Sequence, residues 1–333
     1  MRNAHVESES GAVIDVTVTE DFYNAAKNDI LSGTYKYDLY AATAVGTLSR
    51  LLSDGDLHDV SGSMYMKLDG EHYDKNTMDN LSIHGGKYLV SSAAADARWW
   101  SAAIVYSDDF FQSDELQSLA LSGSFTVDSM LAYGGLSYDR DDIYSMWFGA
   151  GGRFARYDGE EPSFISHKDF EQTVANLAPL AQSINNESIA FEVKTLYELM
   201  DGEDVKMAPL PKVTDEDAYG GYIDLAAAVL TAIPGGSPSA DKSEYILERM
   251  AYLSEEYIAP YFDECFLEDA QMYDMIKQNA SCDLSVLLDY GDMSELVAEC
   301  IHDDTHLTLE YYNRKALYEK AFSIIEKRLK NNN

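Results

Sequence analysis

The chain has 333 residues, of which 46% are apolar, with 58 acidic against 24 basic side chains and a formal net charge of −34. Such apolar content can bury a sizeable core and argues against wholesale disorder. The charge repels nucleic acid and anionic lipid head groups, so neither is expected as a partner. No apolar run reaches the ~18 residues of a membrane-spanning helix, and no export signal follows Met1. Cys265, Cys282 and Cys300 form no C-x-x-C pair and no zinc spacing, and read as buried thiols. The 24 tyrosines suit recognition of polar ligands, since the ring packs while the hydroxyl hydrogen-bonds.

From the N-terminus, Ile14, Val16 and Val18 alternate with Asp15, Thr17 and Thr19, the period of a half-buried strand. Phe22, Ala26 and Ile30 fall at helical spacing, and Gly33 stands where a C-cap belongs. Residues 38–42 (DLYAA) read as a short strand, and Leu48, Leu51 and Leu52 as a helix ending at Gly55. Strand–helix–strand–helix order predicts a parallel sheet with crossover helices. Residues 56–86 read as a long polar connection, and 88–90 and 102–106 as strands flanking SSAAADARWW.

Two helices are expected next, over 113–121 and from the N-cap Thr126. Ser166-x-x-Asp169 is a capping box ahead of a stripe of Phe170, Val174 and Leu177, which Pro179 ends or kinks. Residues 205–212 are extended, stiffened by Pro209 and Pro211. The apolar run 223–233 breaks at Pro234-Gly235-Gly236. Asp241-x-x-Glu244 caps a helix with Ile246, Met250, Leu253 and Tyr257 on one face. Asp292-x-x-Glu295 caps another with Leu296, Val297, Cys300 and Ile301. The last helix carries Tyr318, Phe322, Ile325 and Leu329, and its basic end (Lys327, Arg328, Lys330) complements the helix dipole.

Several segments resemble one family. Tyr37-Asp38-Leu39 after Leu31-Ser32-Gly33, residues 81–88 (LSIHGGKY), residues 124–130 (SFTVDSM), Ala208-Pro209-Leu210-Pro211-Lys212 and Ile233-Pro234 are similar, in order and spacing, to motifs of family 1 extracellular solute-binding proteins of ATP-driven importers. The resemblance implies an α/β, two-lobed periplasmic-binding-protein-like fold with a ligand cleft between lobes. Lobe I would hold 1–104 plus 212–262 and lobe II 105–211 plus 263–333, with hinge crossings near 104–108, 208–212 and 262–270. It further implies an extracellular, lipid-tethered monomer that serves the membrane permease of an ABC importer, needs no cofactor or metal, and catalyses nothing. Three places depart from the family. The chain starts in a helix resembling "RN-x-x-VEe", without the family's central first strand and export signal. Residues 137–142 (SYDRDD) lack the glycines of a calcium loop, so no calcium site is expected there. His72-Tyr73-Asp74 replaces a "WWn" stretch.

Trp99 and Trp100, with Arg98 and Asp96 as polar partners, are the leading ligand candidates. A sugar packs a C–H face on an aromatic ring while its hydroxyls need fixed polar groups. Trp147 with Tyr144 could line a second wall, Tyr40 and Thr43 follow a strand's carboxyl end, and Tyr219 and Tyr222 flank Gly220-Gly221 near a crossing. Each has a plainer alternative: core packing for the aromatics, an N-cap for Thr43, a surface turn for Tyr219 and Tyr222. His302-x-x-x-His306 lacks a third spaced metal ligand, and Gly149-x-Gly151 reads as a turn. The expected function is capture of a small polar solute, a mono- or oligosaccharide by default. The rivals are a surface glycan-binding or glycoside-hydrolysing protein without a transport role; no nucleophile motif marks an enzyme.

Overall fold

The computed structural model describes all residues except 108–112, 138–139, 158–161, 184–188, 201–204, 290, 303–307 and 333. It is a mixed α/β fold in which helices predominate. The first elements are α1 (Arg2–Ser10), α2 (Phe22–Ser32), β1 (Tyr40–Thr43), α3 (Ser49–Asp54) and α4 (Lys75–Asn80). Gly33 and Gly55 close α2 and α3 in the left-handed conformation, with φ of 67° and 78°, which the missing Cβ makes inexpensive. A 3₁₀ turn, Ala97–Trp100, leads into β2 (Ala102–Ser107).

Next come α5 (Ser113–Ser122), α6 (Val127–Tyr133), β3 (Gly135–Leu136), α7 (Arg140–Gly149), β4 (Ala155–Tyr157), β5 (Pro162–Phe164) and α8 (His167–Ser183). Reciprocal side-chain bonds start α6, between Thr126 and Ser129, and the Ser166–Asp169 pair starts α8 with Asp169 N–H donating to Ser166 Oγ at 3.1 Å. Pro179 lies inside α8. Then follow β6 (Ile189–Thr195), α9 (Leu196–Leu199), β7 (Val205–Ala208), β8 (Val229–Ala232), α10 (Ala240–Tyr257), α11 (Ala259–Cys265), α12 (Ala270–Asn279), α13 (Leu284–Leu288), α14 (Met293–His302) and α15 (Thr308–Asn332). Among the described residues no helix is long and apolar enough to cross a membrane.

The largest sheet has the order β3-β6-β2-β7, with β2 antiparallel to both neighbours and β3 parallel to β6. The parallel sheet expected near the N-terminus does not form among the described residues. Instead β1 pairs antiparallel with β8, Tyr40 opposite Ala232, and a bridge from Val90 to Thr231 extends β8 on its other side. The alternating stretch 14–18 belongs to no ladder, and Val16 and Val18 are exposed. Alternation favours a strand when one face is covered, and Val16 and Val18 of this one are not. Residues 88–90 likewise contribute one bridge instead of a strand.

The apolar side chains gather in two large clusters. One is built around β2, α7, α8, α12 and α14, with Trp147, Phe148 and Phe191 fully buried. The other joins α3, β1 and β8 to 280–288 and to Tyr318, Phe322, Ile325 and Leu329 of α15. A third, smaller cluster places Leu247 and Ala251 of α10 against Val60, Tyr73 and Met78. The stripes expected on α8, α14 and α15 are the faces these helices bury.

Helix α10 differs from expectation. It begins at Ala240 after Ser239, without a side-chain cap, and its buried face carries Glu244 and Glu248 where the apolar period places Ile246 and Met250. These carboxylates stay inside because they are partnered. Ser63 Oγ donates to Glu244 at 2.6 Å and His58 Nε2 lies 2.9 Å from it, while Tyr73 Oη and the Lys67 N–H donate to Glu248 at 2.8 and 3.0 Å. Hydrophobic periodicity cannot register polar residues buried in this way. On the other side, α1 docks on α10 through buried Val6 and through Arg2 Nη1, which donates to Ser254 Oγ at 3.0 Å. The cysteines correct another expectation: Cys282 and Cys300 are buried, but Cys265 is exposed.

Asp29 of α2 secures the entry to β1. Its carboxylate, 7% exposed, accepts hydrogen bonds from Thr34 Oγ1 at 2.6 Å and from the Lys36 and Tyr37 N–H groups at 2.9 and 3.1 Å. Burial pushes its pKa up, but these donors outweigh burial and hold it below the usual value. A depressed folded pKa stabilises above the unfolded value, near 4, and that contribution is lost as pH falls through the folded value. Asp29→Ala should therefore cost about 2 kcal/mol at neutral pH. In urea titrations the gap to wild type should narrow steadily below pH ~4; a gap that does not change with pH would show that Asp29 acts without its charge.

Candidate functional site

The site grows from the turn before β2. Ser91 Oγ accepts the Ala97 N–H at 3.1 Å, and Asp96 caps the 3₁₀ turn by accepting the Arg98 N–H at 2.9 Å. The same carboxylate grips the Arg98 guanidinium: Nε donates at 2.8 and 3.1 Å and Nη2 at 2.7 Å. This two-pronged geometry suits arginine and not lysine. Asp96 is 4% exposed while Arg98 is half-buried. Burial works against the Arg98 charge, but Asp96, then Asp74 and Glu255, more than restore it and raise its pKa. Glu255 in turn is raised, first by desolvation, with Asp96 adding and Arg98 opposing. Among the described residues none accepts a hydrogen bond from Arg98 Nη1. One prong is therefore left to offer.

The two indoles that follow are half-buried and each lies flat on another ring. Trp99 stacks on Phe262 of α11, with centroids 3.5 Å apart and planes within 8°. Trp100 stacks on Tyr197 of α9 at 4.3 Å and 18°. Backbone bonds pin the turn from both sides. Asp224 N–H donates to Trp100 O at 3.0 Å, Ala102 N–H to Tyr222 O at 2.8 Å, and Leu196 N–H to Ser101 O at 3.0 Å. Trp100 packs against the cluster that contains β1 and β8, whereas Leu196 and Leu199 belong to the cluster around β2. The turn thus stands at the junction of the two large clusters.

Helices α11 and α12 complete the surroundings. Tyr273, 4% exposed, donates its hydroxyl to Asp263 Oδ1 at 2.9 Å, and Lys277 Nζ lies 3.1 Å from that hydroxyl and 3.6 Å from the same carboxylate. Burial, then Asp263, then Asp96 raise the Tyr273 pKa, so the hydroxyl stays protonated and remains a donor. Asp96, Arg98, Trp99 and Trp100 are therefore joined by Tyr197, Glu255, Phe262, Asp263, Tyr273 and Lys277. These additions carry no local motif; Phe262 was signalled solely by its place in the third expected crossing.

The other sequence candidates lie elsewhere, and three are withdrawn from the site by burial. Trp147 is fully buried, stacked on Phe154 at 5.0 Å and tilted on Phe170 at 5.4 Å, because α7 turns this face into the core. Tyr144, 4% exposed, sits 3.4 Å from Ser285 Oγ in the same core. Tyr40, 3% exposed, packs edge-on to Phe22. Thr43 meets Thr47 at 3.1 Å between hydroxyls. Tyr219 donates to Ala120 O and accepts the Phe125 N–H, which ties its loop to α5 and α6. Tyr222 leans on Tyr144 and Phe148, although its carbonyl reaches the site turn.

Among the described residues no three His, Cys, Asp or Glu side chains converge as a metal site. The His302–His306 pair and the Ser137–Asp142 stretch fall partly outside those residues. No protein-family model matches the chain, and no curated protein matches its sequence significantly.

The Asp96–Arg98 fork is the anchor of the turn, and its loss strands a buried carboxylate. Arg98→Met should destabilise the protein by about 2–3 kcal/mol. Arg98→Lys should recover part of that loss, because charge returns without the fork. Chemical denaturation would measure both; equal stability of all three proteins would show that solvent already screens the pair.

Proposed function

We propose that this chain captures a small polar solute, a mono- or oligosaccharide by default, and hands it to the permease of an ABC importer without altering it. The observation that carries this is the turn 96–100, which presents two indoles beside a locked guanidinium with a spare donor, at the joint between two apolar clusters. Aromatic faces take the C–H side of a sugar ring, and fixed polar groups take its hydroxyls. Small-molecule sites favour such joints, since ligand can bridge both sides and bias their relative position.

Two clusters joined by several chain passages support a two-lobed molecule with a cleft between the lobes. The family resemblance adds an extracellular, lipid-tethered setting and single-copy action. Release of the solute unchanged is supported by the partnering of two of the site's carboxylates: Asp96 is committed to Arg98 and Asp263 to Tyr273 and Lys277. Neither is poised as the acid–base pair that glycoside hydrolysis requires.

A neutral glycan panel tests this by thermal shift. A solute at 100 times its Kd should add about 2.7 kcal/mol of apparent stability. Trp99→Ala should abolish the shift while leaving the fold intact by circular dichroism. Steady release of cleaved product from a labelled oligosaccharide, or a panel without any shift, would reject capture.

A further inference from the structure

Resting on the capture function proposed above, we infer that one face of Trp99 is a subsite for a six-membered sugar ring, that Phe262 fills it in the solute-free chain, and that the solute displaces Phe262. The stack leaves no space for a third ring. At 3.5 Å between centroids and 8° between planes, Trp99 and Phe262 are in full van der Waals contact. A solute that uses this face of Trp99 must therefore move Phe262, and the question is how firmly Phe262 is held.

The three tryptophan stacks among the described residues differ in this respect. The Trp147–Phe154 stack lies wholly inside the core, with exposures of 0% and 3%. The Trp100–Tyr197 stack is backed by α9, where Leu196 at 1% and Leu199 at 9% flank Tyr197 and anchor the helix. The Trp99–Phe262 stack has no such backing. Helix α11 has seven residues, none of them buried, and Tyr261 beside Phe262 is 66% exposed. Removing Phe262 from Trp99 opens no core.

The residue after Phe262 would move with it. Asp263, next to Phe262, occupies the Tyr273 hydroxyl and faces Lys277. When α11 moves, the Tyr273 hydroxyl and Lys277 lose Asp263 as a partner, and among the described residues none accepts a hydrogen bond from Arg98 Nη1. The ring of Phe262 thus stands where a pyranose face would lie, flat on Trp99. The proposed ligand class is accordingly a pyranose with one flat C–H face and oxygens along its edge. The junctions of α11 with α10 at Ile258 and with the 3₁₀ turn Leu267–Asp269 at Phe266, which is 7% exposed and stacked on Tyr273, are the fixed ends about which the helix would swing.

The test titrates wild type, Phe262→Ala, Trp99→Phe and the double variant with maltose, cellobiose and lactose, following tryptophan emission. It adds acrylamide quenching without sugar and amide hydrogen exchange over 259–265. Removing the plug should raise the Trp99-dependent quenching constant, and Phe262→Ala should bind at least one of these sugars about fivefold or more tightly, since it no longer spends binding energy on displacement. In wild type, the same sugar should speed amide exchange in α11, whereas a ligand that merely tightens the protein slows it. If Phe262→Ala does not fold, Phe262→Leu should show the same directions at smaller size. Equal or weaker binding by the folded Phe262 variant, while Trp99→Phe still impairs binding, overturns the plug and leaves the capture function standing. Failure of all three sugars to bind any variant, even with Trp99 newly quenchable, overturns the pyranose subsite, and the capture function falls with it only if the full glycan panel also gives no thermal shift.

Discussion

The hold of Asp96 on Arg98 is the interaction on which the candidate site depends. A 3₁₀ turn of four residues has few hydrogen bonds of its own. Here one buried carboxylate caps the turn at its start and clamps the side chain projecting from its middle. Trp99 and Trp100 follow immediately, so their orientation is inherited from that clamp. Backbone bonds to Tyr222, Asp224 and Leu196 then lock the turn to segments on either side of it. The indoles can be half-buried and still definite in position because the charge pair beneath them is satisfied.

Elsewhere the molecule applies the same device of buried carboxylates with their donors supplied. Glu244 and Glu248 on α10 gather the loop around 58–73, Asp29 holds the approach to β1, and Asp283 receives the Phe154 N–H at 2.9 Å while capping α13. In a chain with a net charge of −34, carboxylates are abundant, and these four are turned inward to fasten loops that lack regular ladders. Each fastening is worth more than a surface pair because removing the donors would leave a charge stranded away from water.

The site could be read in sequence only where its parts are adjacent. Asp96, Arg98, Trp99 and Trp100 lie within one short segment, and the aromatic pair next to a charged pair stood out. Phe262, Asp263, Tyr273 and Lys277 arrive from more than 150 residues away and carry no spacing that links them to the turn. Trp147 and Tyr144 were candidates for a second wall, with core packing as the plainer alternative for the aromatics; α7 rotates them into the core, and a single sequence cannot tell a tryptophan that lines a wall from one inside it.

What the chain settled by itself was local: glycine caps ending α2 and α3, the N-cap Thr126 opening α6 and the Ser166–Asp169 pair opening α8, and the apolar stripes of α8, α14 and α15. These depend on neighbours three or four positions apart, where backbone geometry alone decides who meets whom. The tertiary structure decided what needs a distant partner. It left 14–18 without a ladder although the alternation was there, paired β1 with β8 instead of a parallel neighbour, buried two glutamates of α10 in place of two apolar residues, and laid Phe262 on Trp99. A strand, a buried charge and a stacked ring are each stable only when something covers or completes them, and which segment does so is a property of the whole packing.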